Sequence, residues 1–329
     1  MMDKVLKAWQ KIGMFVVLLI LVVFFSLTSD KFMTTSNILN ILRQVSVVGT
    51  AGVGVSFVMI SGSTDLSVGS IVALCTVIIY KLVMAGVPVP IVCLIAILIA
   101  ASCSVINGIL ANTLQTHPFA LTLAMSNVWT GVAMLACGGV VLFGLSEKFT
   151  IIAKYQIFGA IPSLIPIFSF LAMIGIFVLS RSYFGRRVYA LGGNPEAARL
   201  AGIDTKKMTI LTHALAGAFY GAAAILYCAR TATGDGMSGT SYAYDLITAA
   251  NLGGITIGGG SGHAYGAILG LIVLQVLTNG LTLLGVSEFY QRIAKGLILI
   301  GALTIAMAQR KSANRTDKEI AMIKDKKDN

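Results

Sequence analysis

The chain alternates long apolar runs with short polar punctuation. A helix that crosses a bilayer needs about 20 mostly apolar residues, and fewer where it is broken inside protein. Ten runs meet or approach that length, at 12–28, 38–61, 66–85, 89–111, 119–139, 163–180, 208–230, 243–257, 264–284 and 290–308. The pattern predicts an all-α polytopic membrane protein of about ten transmembrane helices. The eighth run is the weakest, because it dissolves into Gly253, Gly254 and Gly258–Gly260. Residues 1–311 read as one transmembrane domain and 312–329 as a charged tail.

Composition supports this class. Hydrophobic residues make up 57% of the chain and charged residues 11%, where a soluble domain carries about 25% charged. Met1–Gln10 is basic, but the apolar run after it lacks a small-residue cleavage pattern and reads as a retained first span. The net charge of +11 does not point to nucleic acid, because the basic residues gather at span ends. Sixteen of the 24 fall at the N-terminus, in the 181–207 loop or in the tail, the face that the positive-inside rule makes cytoplasmic. The opposite loops hold Lys31, Lys81, Lys148 and Lys154. Arg43, Arg230, Arg292 and Lys295, near the outer ends of helices, are expected to snorkel outward.

Two stretches echo each other. "SGSTDLSVGSIVAL" (61–74) and "GGSGHAYGAILGL" (259–271) each break one span and open the next, and "AGVP" (85–88) or "LGVS" (284–287) follows. Both run in the same direction, so the expected internal repeat is parallel. Equivalent Gly-interrupted helices either mark a transport path or allow close helix packing. The helix-break residues are Gly62, Asp65, Gly69, Gly253, Gly254, Gly259 and Gly260. Asp65, placed at the membrane edge before Leu66 and Ser67, reads as an N-cap for the next helix or as a substrate or proton contact.

In the fifth run Thr122, Ser126 and Thr130 recur every four residues, with Trp129 one place off the stripe. That spacing shares one helical face. Its hydroxyls either hydrate a path for a polar solute, with Trp129 stacking on a sugar ring, or bond neighbouring helices and their own i−4 carbonyls. The five cysteines lie in apolar runs and the three histidines are scattered, so neither a metal site nor a cofactor is expected. There is no G-x-x-x-x-G-K-[ST], G-x-S-x-G or H-E-x-x-H, so no catalytic residue is assigned. Uphill transport would then take its energy from another subunit.

One polar segment stands out between spans, "ALGGNPEAARLAGI" (190–203). Asn194 is a favoured N-cap, Pro195 suits the first helical position, and Glu196 suits the positive helix start. Gly202 supplies a left-handed stop, and Asp204 can cap the following span. The result is a helix of about two turns, too short to be stable alone. Its Ala197, Ala198, Leu200 and Ala201 suit docking into a cleft on another protein; the plain alternative is an elbow lying on the membrane.

At these residues the chain resembles a family. "FGRRVYALGGNPEAARLAGI" (184–203) resembles the cytoplasmic coupling loop of permease subunits from bacterial ribose-type monosaccharide ABC importers. "TDLSVGS" (64–70), "LGGITIGGGSG" (252–262) and "NGLTLLGVSEFYQ" (279–291) resemble further segments of the same family, and the likeness covers nearly the whole chain. Gly62-Ser63-Thr64 replaces the usual Gly-Gly-Ile, and Gly253-Gly254-Ile255-Thr256 replaces the usual Gly-Gly-Thr-Ser. The resemblance implies a multi-pass protein of the bacterial inner membrane with both termini cytoplasmic. It implies as partners a second permease chain around a central path, an ATP-binding cassette ATPase and a soluble sugar-binding protein. Asn194, Pro195, Glu196, Ala197, Arg199, Leu200 and Gly202 would couple the ATPase to transport. The sugar, whether ribose, another pentose, a hexose or a related furanose, stays open. The alternative from another class is a stand-alone secondary transporter or facilitator.

The charge distribution sets an orientation that labelling checks. A cysteine at Thr205 or Ser312 should react with an impermeant maleimide only after cells are opened; labelling of both in intact cells would invert the topology.

Overall fold

The computed structural model describes residues 2–114, 116–157, 159–256, 258–298, 300, 301 and 304, with side chains from residue 13 onward. The 312–329 tail lies outside the described residues, as does most of 299–308 at the end of the tenth run. Helices occupy the apolar runs: α1 (Met2–Thr28), α2 (Thr35–Ile60), α3 (Val68–Met84), α4 (Val89–Leu114) and α5 (Pro118–Cys137). A short α6 (Glu147–Lys154) precedes α7 (Leu164–Arg181), α8 (Tyr183–Gly193) and α9 (Pro195–Leu200). The chain continues with α10 (Thr205–Thr231), α11 (Tyr242–Leu252) and α12 (Ala264–Leu283), then helical residues 288–298. Six of these, α2, α4, α5, α7, α10 and α12, are long and apolar enough to cross a bilayer, and Gly13–Thr28 and Val68–Met84 are shorter apolar helices.

The all-α expectation needs one small correction. Two antiparallel two-residue ladders close the loops around α6: β1 (Leu142–Phe143) pairs with β4 (Thr233–Gly234), and β2 (Gln156–Ile157) with β3 (Ile161–Pro162). These turns lie between apolar runs and carry no alternating pattern, so hydrophobic periodicity could not reveal them.

The core forms around α2 and α10. From Val45 to Ile60 every residue of α2 is buried, so this helix is apolar on all sides and enclosed by protein. Along α10, Gly217 and Gly221 face Ala100, Ala101 and Ile97 of α4, where added Cβ atoms would lie 2.6–2.9 Å from backbone. This is a G-x-x-x-G approach, in which missing side chains let two helix backbones meet. Phe57 of α2 stacks on Phe219 of α10 at 6.0 Å between centroids. Between α2 and α12, Asn37 and Asn279 exchange amide hydrogen bonds of 2.9 and 2.8 Å.

Two helix ends share one local geometry. After α2, Gly62 N–H donates to the Met59 carbonyl and Ser63 N–H to Val58, with Gly62 at φ +89°. After α11, Gly254 N–H donates to Asn251 and Ile255 N–H to Ala250, with Gly254 at φ +85°. The turns after α3 and α12 also match, with Gly86 and Gly285 at φ +79° and +74°. Each turn satisfies carbonyls that a helix end leaves without partners.

Replacing Gly221 by Leu should wedge α4 from α10. Overpacking costs about 1–3 kcal/mol, with backbone as the obstacle here, so the thermal midpoint of the purified protein should fall while Gly131→Leu, which meets open space, leaves it unchanged.

Candidate functional site

Between α2 and α3 the chain runs as an irregular segment, 61–67, whose Gly62 is exposed and whose Asp65, Leu66 and Ser67 are buried. Asp65 is fully buried there. It is not the cap residue: α3 begins at Val68 after Ser67, and Asp65 Oδ1 accepts from the backbone N–H of Ser67 at 2.9 Å and from its hydroxyl. The carboxylate therefore closes a tight turn one step before the helix, still beside the positive end of α3.

From Asp65 a chain of side chains leads to α5. Asn107 Nδ2 of α4 donates to Ser67 Oγ at 2.6 Å, and Trp129 Nε1 donates to Asn107 Oδ1 at 3.3 Å. Thr122 fastens the same segment from its other side. Its hydroxyl accepts from Leu66 N–H at 3.1 Å and bonds the Thr64 carbonyl at 3.1 Å and the Pro118 carbonyl at 2.9 Å. Thr122 is buried, whereas Ser126, Trp129 and Thr130 are half-buried. The hydroxyl at 122 thus serves both the neighbouring segment and its own i−4 carbonyl.

On the α10 side, His213 Nδ1 lies 3.3 Å from Ser104 Oγ, and Tyr220 sits beside the Asp65 carboxylate. Asp65 Oδ2, His213 Nε2 and Tyr220 Oη are buried without a hydrogen-bonding partner in the protein. Sequence reading missed this cluster. His213 and Tyr220 are seven positions apart, two helical turns on one face, but no local signal ties that face to Asp65.

The glycines divide by role. An added Cβ on Gly69 would overlap the Gly239 carbonyl, and one on Gly253 would overlap Gly266 across α11 and α12. Close packing explains these two. Gly62, Gly259 and Gly260 instead lie where the breaks meet: Gly260 N–H donates to the Ile60 carbonyl at 2.8 Å, and Tyr189 of α8 donates its hydroxyl to the Gly262 carbonyl at 2.7 Å. Burial, with the Tyr265 phenol nearby, holds the Tyr189 hydroxyl above its ordinary pKa.

The 190–203 segment folds as its residues predict. Asn194 Oδ1 accepts from the N–H groups of Glu196 and Ala197, both at 3.0 Å. Gly202, at φ +82°, ends α9 with Gly202 N–H on the Arg199 carbonyl and Ile203 N–H on Ala198. Asp204 caps α10 through Lys207 N–H. Glu196 and Arg199 pair at 2.6 Å on the exposed side, and that bond holds the Arg199 guanidinium above its ordinary pKa. Ala198 packs inward at 4% exposure while Leu200 stands out at 77%. The helix is six residues long, shorter than the two turns expected.

Of the four basic residues expected to snorkel, Lys295 is enclosed instead, while Arg292 and Arg230 are exposed. Lys295 pairs with Asp245 at 2.8 Å, with side chains only 24% and 14% exposed. A charge pair shielded from solvent stays with its partner because neither group can leave without stranding the other. Arg292 pairs with Glu288 at 2.7 Å. Arg43 and Arg230 line one pocket of about 450 Å³ with Asn40, Thr150 and Lys154.

Six helices long and apolar enough to cross a bilayer, in a chain that is 57% hydrophobic, make this a multi-pass membrane protein. The chain belongs to the family described as branched-chain amino acid transport system / permease component, matched over residues 37–305. It is 33% identical to the ribose import permease protein RbsC of Bacillus subtilis, over 92% of this chain and 94% of that protein. The D-allose transport system permease protein AlsC of Escherichia coli is 32% identical over 90% and 91% of the two chains. The galactose/methyl galactoside import permease protein MglC of Salmonella typhimurium is 31% identical over 89% and 93%. No solved structure matches the chain.

The Asp65 turn makes a specific demand. Asp65→Ala leaves the Ser67 N–H and hydroxyl without their acceptor, at about 1–3 kcal/mol for a buried unsatisfied group. Asp65→Asn keeps an acceptor oxygen. Thermal unfolding in detergent should therefore show a large drop for alanine and a smaller one for asparagine; equal drops would deny the turn its role.

Proposed function

We propose that this permease is the membrane-spanning subunit of an ATP-driven importer, taking a monosaccharide from a soluble binding protein and passing it inward. The names of its relatives, permeases for ribose, D-allose and galactose import, support a monosaccharide as cargo. The chain crosses the membrane about ten times with both termini and the 181–207 loop in the cytoplasm, pairs with a second permease chain, and carries no ATP site of its own. Its two Gly-broken units form a parallel repeat. The reading rests on matching turn geometry at Gly62 and Gly254 and again at Gly86 and Gly285. The Ser126, Trp129 and Thr130 side of α5 lines the sugar path, and Thr122 anchors that helix to the Asp65 segment.

The observation that carries the coupling role is Leu200. It stands 77% exposed on a short helix capped at both ends, beside the exposed Glu196–Arg199 pair, and so offers a partner an apolar knob with a charged rim. We assign α9, with Asn194, Pro195, Glu196, Ala197, Arg199, Leu200 and Gly202, as the helix that seats in a cleft of the cytoplasmic ATPase. A stand-alone transporter would need no such helix and would move sugar in liposomes without ATP.

Leu200→Asp tests the assignment. A buried unpaired charge costs about 3–5 kcal/mol, so co-purification of the ATPase should weaken at least ~100-fold while membrane insertion is kept. Normal co-purification and uptake would leave this segment a mere elbow.

A further inference from the structure

The helix assigned to ATPase docking is one residue away from the point where both broken helices meet. Gly192 and Gly193 end α8, and Asn194 caps α9. A Cβ on Gly192 would overlap the Ile60 carbonyl oxygen at the end of α2 and lie 2.6 Å from the Gly260 nitrogen in the second break. A Cβ on Gly260 would lie 2.6 Å from Gly193 Cα, and one on Gly259 would fall against the Gly62 backbone. Three segments distant in sequence thus touch backbone to backbone. The Gly260–Ile60 hydrogen bond and the Tyr189–Gly262 hydrogen bond tie them together.

We propose that this glycine junction is the mechanical relay of the importer, with Gly192 and Tyr189 as positioning residues that pass motion of α9 to the end of α2 and to the segment joining α11 to α12. The proposal rests on α9 being the ATPase-docking helix. Side chains between two segments absorb small displacements by changing rotamer, whereas backbones in van der Waals contact have no such slack. A shift of Asn194 therefore moves Gly192, and Gly192 cannot move toward the membrane without pushing Ile60 and Gly260. Ile60 ends α2 just before the Asp65 segment, and Gly260 lies in the irregular stretch between α11 and α12. α8 is itself fixed at its start, where Phe184 packs on Phe57 at 6.4 Å and a Cβ on Gly185 would overlap the Leu179 carbonyl. It can act as a short lever between α7 and the junction.

Gly192 has an ordinary helical φ, so its missing side chain serves space and not backbone conformation. Gly193, its neighbour, has no atom within 4 Å of an added Cβ, which makes it the matched control. The experiment reconstitutes the full permease with its ATPase and binding protein, supplies ribose, allose and galactose together, and reads sugar moved per ATP hydrolysed. Gly192→Ala should lower that ratio tenfold or more while the ATPase still co-purifies, and Gly193→Ala should match the wild type. Tyr189→Phe removes one hydrogen bond and should lower the ratio about fivefold. A normal ratio in Gly192→Ala, or an equal loss in Gly193→Ala, overturns the relay. If Gly192→Ala does not assemble, Tyr189→Phe decides: an unchanged ratio overturns the proposal and a reduced one upholds it. Intact ATPase binding by Leu200→Asp would instead sink the docking assignment, a separate failure.

Discussion

Every backbone N–H and C=O inside a bilayer must find a partner within the protein, because hydrocarbon offers none. A helix that stops short leaves carbonyls without intrahelical bonds, and α2 and α11 both stop short. The ends are closed in the same way, by a left-handed glycine that folds the next N–H groups back onto the last turn. Irregular backbone remains beyond each turn, and it survives only where other helices enclose it. Much of the packing serves that enclosure. The α4–α10 contact through Gly217 and Gly221 and the Gly69–Gly239 approach bring backbone to backbone around the first break.

Within this enclosure sits a carboxylate. A buried carboxyl has lost its hydrogen bonds to water, so Asp65 must find partners locally. Two donors from Ser67 and the start of α3 meet part of that need. Tyr220 and His213 from α10 complete the polar lining. The same hydrogen bonds fasten α5, through Asn107 and Trp129, to a segment that otherwise belongs to α3. The polar centre therefore joins the α5 face, where the hydroxyl stripe lies, to the break and to α10.

The glycine junction lies at the other end of the same break, against the loop that carries α9. The order of parts is thus α9, the end of α8, the junction, the 61–67 segment and then α5. Each link is a backbone contact or a buried hydrogen bond. A partner that moved the first element would have a short and stiff route to the polar face.

What the sequence alone determined is local. The apolar runs, the Asn194–Pro195 start, the Gly202 stop and the Asp204 cap depend on residues within four or five positions, and each folds as its chemistry requires. The broken helices were legible for the same reason, since glycine runs interrupt a span wherever they fall. The tertiary structure decided the rest. Asp65 was legible as an unusual charge, but its burial and its company of Asn107, His213 and Tyr220 depend on how α4 and α10 cross. Lys295 has the composition of a snorkelling cation and becomes a paired one only because Asp245 lies across from it. Gly192 and Gly193 read alike in sequence, and only the approach of Ile60 and Gly260 leaves one of them no room for a side chain. Local rules act along the chain through bonds and capping geometry, whereas partners in space are set by the packing of whole helices, which no short stretch contains.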